Sequence, residues 1–158
     1  MNTDKNTEII VRPAKATEWE IIATFQIKMA LETENVKLEE SVINSGVVAV
    51  FSNPVLGRYY VAVSGKEIIA GLLVTYEWSD WRNSMVWWLQ SVYVLPEYRR
   101  KGVFSRMYHH IRNEVENLPD VSGIRLYMIH HNQKAEKVYL KMGMDGNRYR
   151  MFEWMKNQ

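Results

Sequence analysis

The chain has 158 residues, 47% of them hydrophobic and 24% charged, and 20 Lys and Arg against 18 Asp and Glu leave a formal net charge of +2. This suits one domain, 1–158, with a buried core, and a charge so close to balance argues against a surface built to coat nucleic acid. The absence of cysteine excludes disulfides, a thiolate zinc site and a cysteine nucleophile.

In chain order, Ile9 to Arg12 is a short strand stopped by Pro13. Thr17 has the right chemistry to cap a helix, with Glu20 three residues on completing a capping box. That helix carries Ile21, Ile22, Phe25 and Met29 on one side. Leu38 to Phe51 is a second helix, closed by Asn53-Pro54. Tyr59–Val63 and Glu67–Trp78 are strands joined by the hairpin turn Ser64-Gly65-Lys66. After a turn over Asp80 to Ser84, Met85–Val94 is a further strand, ended by Pro96. Val103 to Leu118 is a helix. Phe104, Met107, Tyr108, Ile111, Val115 and Leu118 recur in it at spacings of three and four. Gly123–Ile129 is a strand, Gln133–Met142 a helix ended by Gly143, and 144–155 a last short hairpin. This order is a mixed α/β layout with a strand-helix-strand crossover over 85–129.

The start, M-N-T-D-K-N-T-E, has no apolar stretch, and no run approaches the roughly 18 apolar residues of a membrane span. The expectation is a cytoplasmic protein without membrane or nucleic-acid partners. Nothing has metal-ligand spacing, so no metal is expected.

The crossover sets Arg99, Arg100, Lys101 and Gly102 between the end of a strand and the start of a helix. A helix start carries N–H groups without intrahelical partners and the positive end of the helix dipole. Glycine lets a ligand come close to the backbone. Together these form a cradle for phosphate, with a solvated basic loop as the plain alternative.

The run R99-R100-K101-G102-V103-F104, behind V-Y-V-L-P-E-Y, resembles the Arg/Gln-x-x-Gly-x-Gly/Ala signature of the GCN5-related N-acetyltransferases (GNAT). The run N132-Q-K-A135-E-K-V-Y139-L-K-M-G143-M is similar to their later motif, Asn-x-x-Ala-x-x-x-Tyr-x-x-x-Gly-Phe. The resemblance is specific over about residues 85–144. It implies an α/β (α+β) fold with a mixed, largely antiparallel sheet of about six to seven strands flanked by about four helices. It also implies acetyl-CoA as co-substrate and transfer of the acetyl group to an amine. Phe104 departs from the motif's small residue; its ring can turn into the core while its N–H still meets phosphate.

Residue by residue, the resemblance implies a pyrophosphate held by backbone N–H groups near Arg100, Gly102, Val103, Phe104 and Ser105, with charge added by Arg99, Arg100 and Lys101. The pantetheine arm would pair with strand 85–94. There Val94 would bond its amides and the Val92 N–H would polarise the thioester carbonyl. Asn132 would contact the cofactor, with Ala135 in register. Tyr139 would be the general acid for the leaving thiolate; its plain alternative is a core tyrosine. Many relatives carry a Glu in the strand that here reads Trp87-Trp88-Leu89-Gln90, and Gln90 cannot be a base. Glu77, Asp80, Glu32, Glu34, His130 and His131 remain as base candidates, and the His109-His110 pair reads as solvent face. Glu32 and Glu34 also suit attraction of a cationic amine, and Glu77, Trp78, Trp88 and Gln90 an acceptor wall or a homodimer surface. The acceptor is expected to be a small primary amine. A peptide or protein amine, or a non-catalytic acyl-CoA-binding regulatory module, stays as the alternative.

Overall fold

The computed structural model describes residues 8–156, so the polar start that bears on the cytoplasmic expectation, residues 1–7, lies outside them. The contacts divide the chain after Arg125 into two units.

The first unit is a five-stranded sheet in sequential order, formed by β1 (Ile9–Pro13), β2 (Arg58–Ser64), β3 (Glu67–Ser79), β4 (Ser84–Val94) and β5 (Val121–Arg125). The first four strands are antiparallel neighbours and β5 runs parallel to β4. The parallel pair requires a crossover, which α3 (Val103–Glu116) supplies. α1 (Trp19–Glu34) and α2 (Glu40–Ser52) lie between β1 and β2 in the chain.

Turn chemistry fixes the register. Ser64 pairs with Glu67, leaving Gly65-Lys66 as the turn, with Gly65 in the left-handed region at φ 62°. Ser79 pairs with Ser84, and the Asp80 carboxylate accepts from the Trp81 N–H at 2.9 Å within the intervening turn.

The core sits on the central strands. Ile69, Ala70, Leu72 and Val74 of β3 and Tyr60, Val61 and Ala62 of β2 have no exposed surface. Ile22, Ala23, Val47, Tyr59 and Val61 form a cluster joining α1, α2 and β2. Met107, Tyr108, Ile111 and Val115 of α3 are buried as the spacing predicts, and at the helix start Val103 is buried with them while Phe104 is half-buried. Two residues leave the predicted stripes: Ile21 is 42% exposed, and Leu118 lies past the end of α3 and is 38% exposed.

The start of α1 differs from the expected Thr17 cap. A single 3₁₀ turn, Ala16–Glu18, precedes the helix, and Glu18 organises it. Its carboxylate accepts from the Lys15 N–H at 2.7 Å and from both terminal nitrogens of Arg12 at 3.0 and 2.6 Å. Arg12 lies on β1, so this bidentate pair ties the edge strand to the helix start. The bonded guanidinium holds the Glu18 carboxyl below the usual carboxylate range.

In the second unit, α4 (Gln133–Lys141) begins at Asn132, whose side-chain oxygen accepts from the Ala135 N–H at 3.1 Å. It ends in a Schellman turn. Gly143 is left-handed at φ 80°, its N–H donates to the Leu140 carbonyl at 3.0 Å, and the Met144 N–H donates to the Tyr139 carbonyl at 3.1 Å. Among the described residues of this unit there is no strand. The strand expected over Gly123–Ile129 is instead β5, Val121–Arg125, because its pairing with β4 stops at Trp88 opposite Arg125. The hairpin expected over 144–155 does not form. Met151-Phe152 and Trp154-Met155 are adjacent apolar pairs, so neither face of a strand could bury them, and all four are exposed. The sheet therefore has five strands rather than six or seven.

Glu18→Gln should lower stability by about 1 kcal/mol at pH 7, the scale of one charge-assisted hydrogen bond. A carboxyl whose folded pKa is depressed contributes above its unfolded pKa and loses that contribution as pH falls through the folded one. Urea titrations of the two proteins should therefore differ at pH 7 and converge below about pH 4.

Candidate active site

Strand β4 follows two different neighbours and parts from both. On the β3 side the register slips: Gln90 pairs with Leu73 and Tyr93 with Gly71, so Ser91 and Val92 together oppose Leu72. This is a β-bulge, and Ser91 takes φ 52° within it. On the β5 side pairing covers only Met85 to Trp88. From Leu89 to Val94 no strand among the described residues pairs with that edge. Edge backbone of this kind accepts an extended ligand as it would another strand.

The chain then turns into α3. Arg99 is extended, Arg100 and Gly102 are left-handed at φ 62° and 75°, and helix geometry begins at Val103. The first helical bond runs from the Arg106 N–H to the Gly102 carbonyl at 3.0 Å. The N–H groups of Val103, Phe104 and Ser105 therefore have no intrahelical acceptor. No side chain caps this helix start and its first turn holds no acidic residue. A Cβ on Gly102 would meet nothing within 4 Å, so the backbone faces open space. Convergent N–H groups, a helix dipole and open access make an anion site.

The three cations differ in their surroundings. The Arg99 guanidinium donates to Glu32 at 2.5 Å and to the Val94 carbonyl at 2.9 Å, and it lies 5.4 Å from the centre of the Tyr93 ring. Glu32 also accepts from the Tyr93 hydroxyl at 2.8 Å. The bond from Arg99, and then that from Tyr93, hold the Glu32 carboxyl below its usual range. The Lys101 ammonium rests 5.5 Å from the centre of the Tyr98 ring. Arg100 is exposed, with no ion pair among the described residues. Phe104 is half-buried, its ring centre 6.5 Å from that of Tyr108 one turn along α3.

A cavity of about 430 Å³, widely open to solvent, lies between α1, α2 and the sheet. Its wall is mostly aliphatic, from Met29, Val36, Leu38, Val42, Ile43 and Val47, with Gln26, Glu34, Tyr59 and Ser91 as polar members. Asn35, left-handed at φ 54°, ends α1 and turns the chain so that Val36 reaches this wall. Ser91 belongs to both the cavity and the β4 bulge, so the cavity reaches the irregular part of the strand, beside Val92.

Of the residues expected at an acceptor wall, Glu34 lines this cavity. Glu32 is instead bound to Arg99 and Tyr93. Glu77 is paired with Arg125 and accepts from the Trp88 indole at 2.6 Å. The Gln90 amide donates to the Thr75 hydroxyl at 2.6 Å. Trp78 is 56% exposed on the β3–β4 hairpin, and Asp80 is exposed in its turn. Tyr76 and Trp87 meet edge to face and line a separate cavity with Arg58 and Glu114. His109 is exposed, whereas His110 is half-buried against the Tyr60 ring with Nε2 3.2 Å from Glu114. Ser91 and the aliphatic wall escaped sequence reasoning, because apolar helix positions read as core and no residue type marks a bulge.

In the second unit, Asn132 spends its side-chain oxygen on the cap of α4. Tyr139 is half-buried, and burial pushes its phenol above the usual tyrosine range. His130 and His131 are exposed just before the helix. No group of three His, Asp or Glu that could hold a metal ion occurs among the described residues.

The model of the acetyltransferase (GNAT) family matches residues 20–144. This chain belongs to that family. A possible acetyltransferase from Clostridium difficile 630 is 36% identical, with a TM-score of 0.87 over 95% of this chain and 99% of that one. A predicted acetyltransferase from Clostridium acetobutylicum, solved with acetyl-CoA, shares the fold at 17% identity, with a TM-score of 0.72 over 92% and 96% of the two chains. AAC(6')-Iy, solved with the bisubstrate analogue CoA-S-monomethyl-acetylneamine, shares the fold at 14% identity, with a TM-score of 0.76 over 96% and 100%. No curated protein matches the sequence. GNAT membership makes the chain an acyltransferase by class, and no helix among the described residues is long and apolar enough to cross a membrane.

The loop geometry sets a prediction that needs no cofactor. Gly102→Ala should cost about 1–2 kcal/mol from its positive φ alone, since its Cβ meets no neighbour. In thermal melts, inorganic pyrophosphate should raise the Tm of the wild type and leave that of Gly102→Glu unmoved.

Proposed function

We propose that this chain is an acetyl-CoA-dependent N-acetyltransferase that passes the acetyl group directly to the primary amine of a small cationic molecule, working as one domain in the cytoplasm. The observation that carries the reading is the continuity of residues 92–105. One short run holds a bulged strand edge, a sharp left-handed turn and an uncapped helix start. An extended amide-bearing arm that ends in a pyrophosphate is complementary to that sequence of surfaces.

In this reading the N–H groups of Val103, Phe104 and Ser105, with Gly102 leaving room, hold the pyrophosphate. Arg100 and Lys101 add positive charge, and Arg99 braces the loop through Val94 and Glu32. The backbone of Val94 bonds the pantetheine amides. The Val92 N–H donates to the thioester carbonyl, whose oxygen gains negative charge as the amine attacks. The amine nitrogen forms the new C–N bond, the C–S bond breaks, and the thiolate takes a proton. The motif assigns that proton to Tyr139, with Asn132 and Ala135 setting the start of its helix. A phenol pushed up by burial stays protonated at neutral pH, as a proton donor must. The ammonium gives up two protons, one to solvent before it attacks and one as the amide forms, which balances the proton taken by the thiolate, so the sum is ammonium plus thioester to amide, thiol and a proton. Glu34 is the carboxylate in the cavity and the group nearest to hand for attracting that ammonium.

Calorimetric titration with acetyl-CoA, CoA and 3′-dephospho-CoA, followed by thiol release with a panel of amines, tests the reading. Binding with turnover is expected. Tyr139→Phe should lower kcat by about 10²-fold or more and leave the acetyl-CoA Kd unchanged. An unaltered kcat would remove Tyr139 as the acid. Binding of acetyl-CoA without turnover of any amine, peptides included, would favour a regulatory acyl-CoA-binding module.

A further inference from the structure

We infer that the acceptor is an amphipathic monoamine, an alkyl or arylalkyl primary amine, whose apolar body fills the cavity between α1 and α2 and whose ammonium lies at Glu34. The inference rests on the acetyl-transfer reading above and narrows its substrate class.

Three observations carry it. The first is the wall. Met29 comes from α1, Ile43 and Val47 from α2 and Leu38 from the loop between them, and only a few polar groups interrupt them. At about 430 Å³ the space is at the lower end of ligand-site volumes, enough for one small body. An apolar wall rewards each buried methylene and penalises each hydroxyl or ammonium that it cannot bond. The second is charge. Glu34 is the one charged lining residue. Its neighbour in sequence, Glu32, is neutralised by Arg99 and bonded by Tyr93, so it adds no second anionic point. A polyamine or aminoglycoside brings several ammonium groups and would leave all but one unpaired against hydrocarbon. The third is Gly46. It lines the cavity from within α2, and a Cβ there would meet nothing within 4 Å. Glycine inside a helix costs about 1 kcal/mol against alanine. Here it keeps open the volume that a side chain would fill.

The position also suits the chemistry. Glu34 and Ser91 line the same cavity, and Ser91 joins it to the bulge beside Val92, so the one nitrogen drawn in as ammonium by Glu34 stands in the space that opens on the β4 edge and attacks there once it has lost a proton. The neutral amine forms the C–N bond there, and its released proton leaves to solvent.

The test is a homologous series from propylamine to hexylamine, with phenethylamine, spermidine, neamine and a short peptide as comparators. We expect kcat/KM to rise roughly three- to fourfold per methylene, the burial value for one such group. Phenethylamine should exceed spermidine and neamine by at least about tenfold. Gly46→Leu should raise the KM of hexylamine about tenfold or more with the acetyl-CoA Kd unchanged. Calorimetric titration of hexylamine into CoA-saturated protein gives a readout independent of turnover. Hexylamine should bind the wild type and weaken in both Gly46→Leu and Glu34→Gln. A flat series, a preference for spermidine, neamine or the peptide, or hexylamine binding untouched by Gly46→Leu would overturn the inference while leaving acetyl transfer intact. Failure to bind acetyl-CoA, or to turn over any amine, would strike the acetyl-transfer reading itself, and the same hexylamine titration into the protein without CoA would still decide whether an amphipathic amine fills the cavity.

Discussion

The parting of β4 from its neighbours is the constraint on which the first unit's site depends. A sheet normally spends every backbone N–H and C=O of a central strand on its two neighbours. β4 does so only from Met85 to Trp88. Beyond that point β5 has ended, and the slip at Ser91-Val92 disturbs the ladder to β3 as well. Unspent backbone in a half-buried strand is costly unless water or a ligand meets it. The same slip opens one wall of the cavity under α1 and α2, because Ser91 reaches it. A single irregularity thus serves both an extended ligand and a compact one.

Electrostatics adds polarity along that line. The helix start at Val103 lacks a capping side chain and an acidic first turn, and a basic loop precedes it. Arg99 turns away from this end and ties the loop to α1 through Glu32. Both partners are more than a third exposed, so the pair contributes little to stability. What it does is geometric: it links the helix that walls the cavity to the loop at the anion site. Lys101 rests near the Tyr98 ring, and Arg100 is exposed in the same loop.

Much of this was legible in the residues. The hairpin at Gly65, the stripe of α3 and the crossover all follow from turn chemistry and periodicity, and α2 falls close to its expected span, whereas α1 runs on to Glu34, through residues 30–34 that were expected to follow it. The second motif is explained by helix ends: Asn132 caps Ala135, and Gly143 closes the helix on the carbonyls of Tyr139 and Leu140. Local chemistry of this sort needs no tertiary context. The bulge at Ser91 was not legible, because a φ of 52° on serine is imposed by the register of the neighbouring strand. Nor was the cap at Glu18, which depends on Arg12 arriving from β1. The hairpin expected over 144–155 does not form, for its apolar residues fall in adjacent pairs and lack the alternation of a half-buried strand. The cavity was invisible because its aliphatic wall is composed like any core, and the commitment of Glu32 to Arg99 spans 67 positions.

The most direct measurement is amide NMR of the labelled protein with and without CoA. If the bulged edge and the uncapped helix start hold the cofactor, the largest shifts will fall on the N–H groups of Val92, Val94 and Gly102 to Ser105. Arg58, Tyr76 and Glu114, around the separate cavity, should stay still. Shifts concentrated on that second group, with Val92 and Gly102 unmoved, would contradict the account.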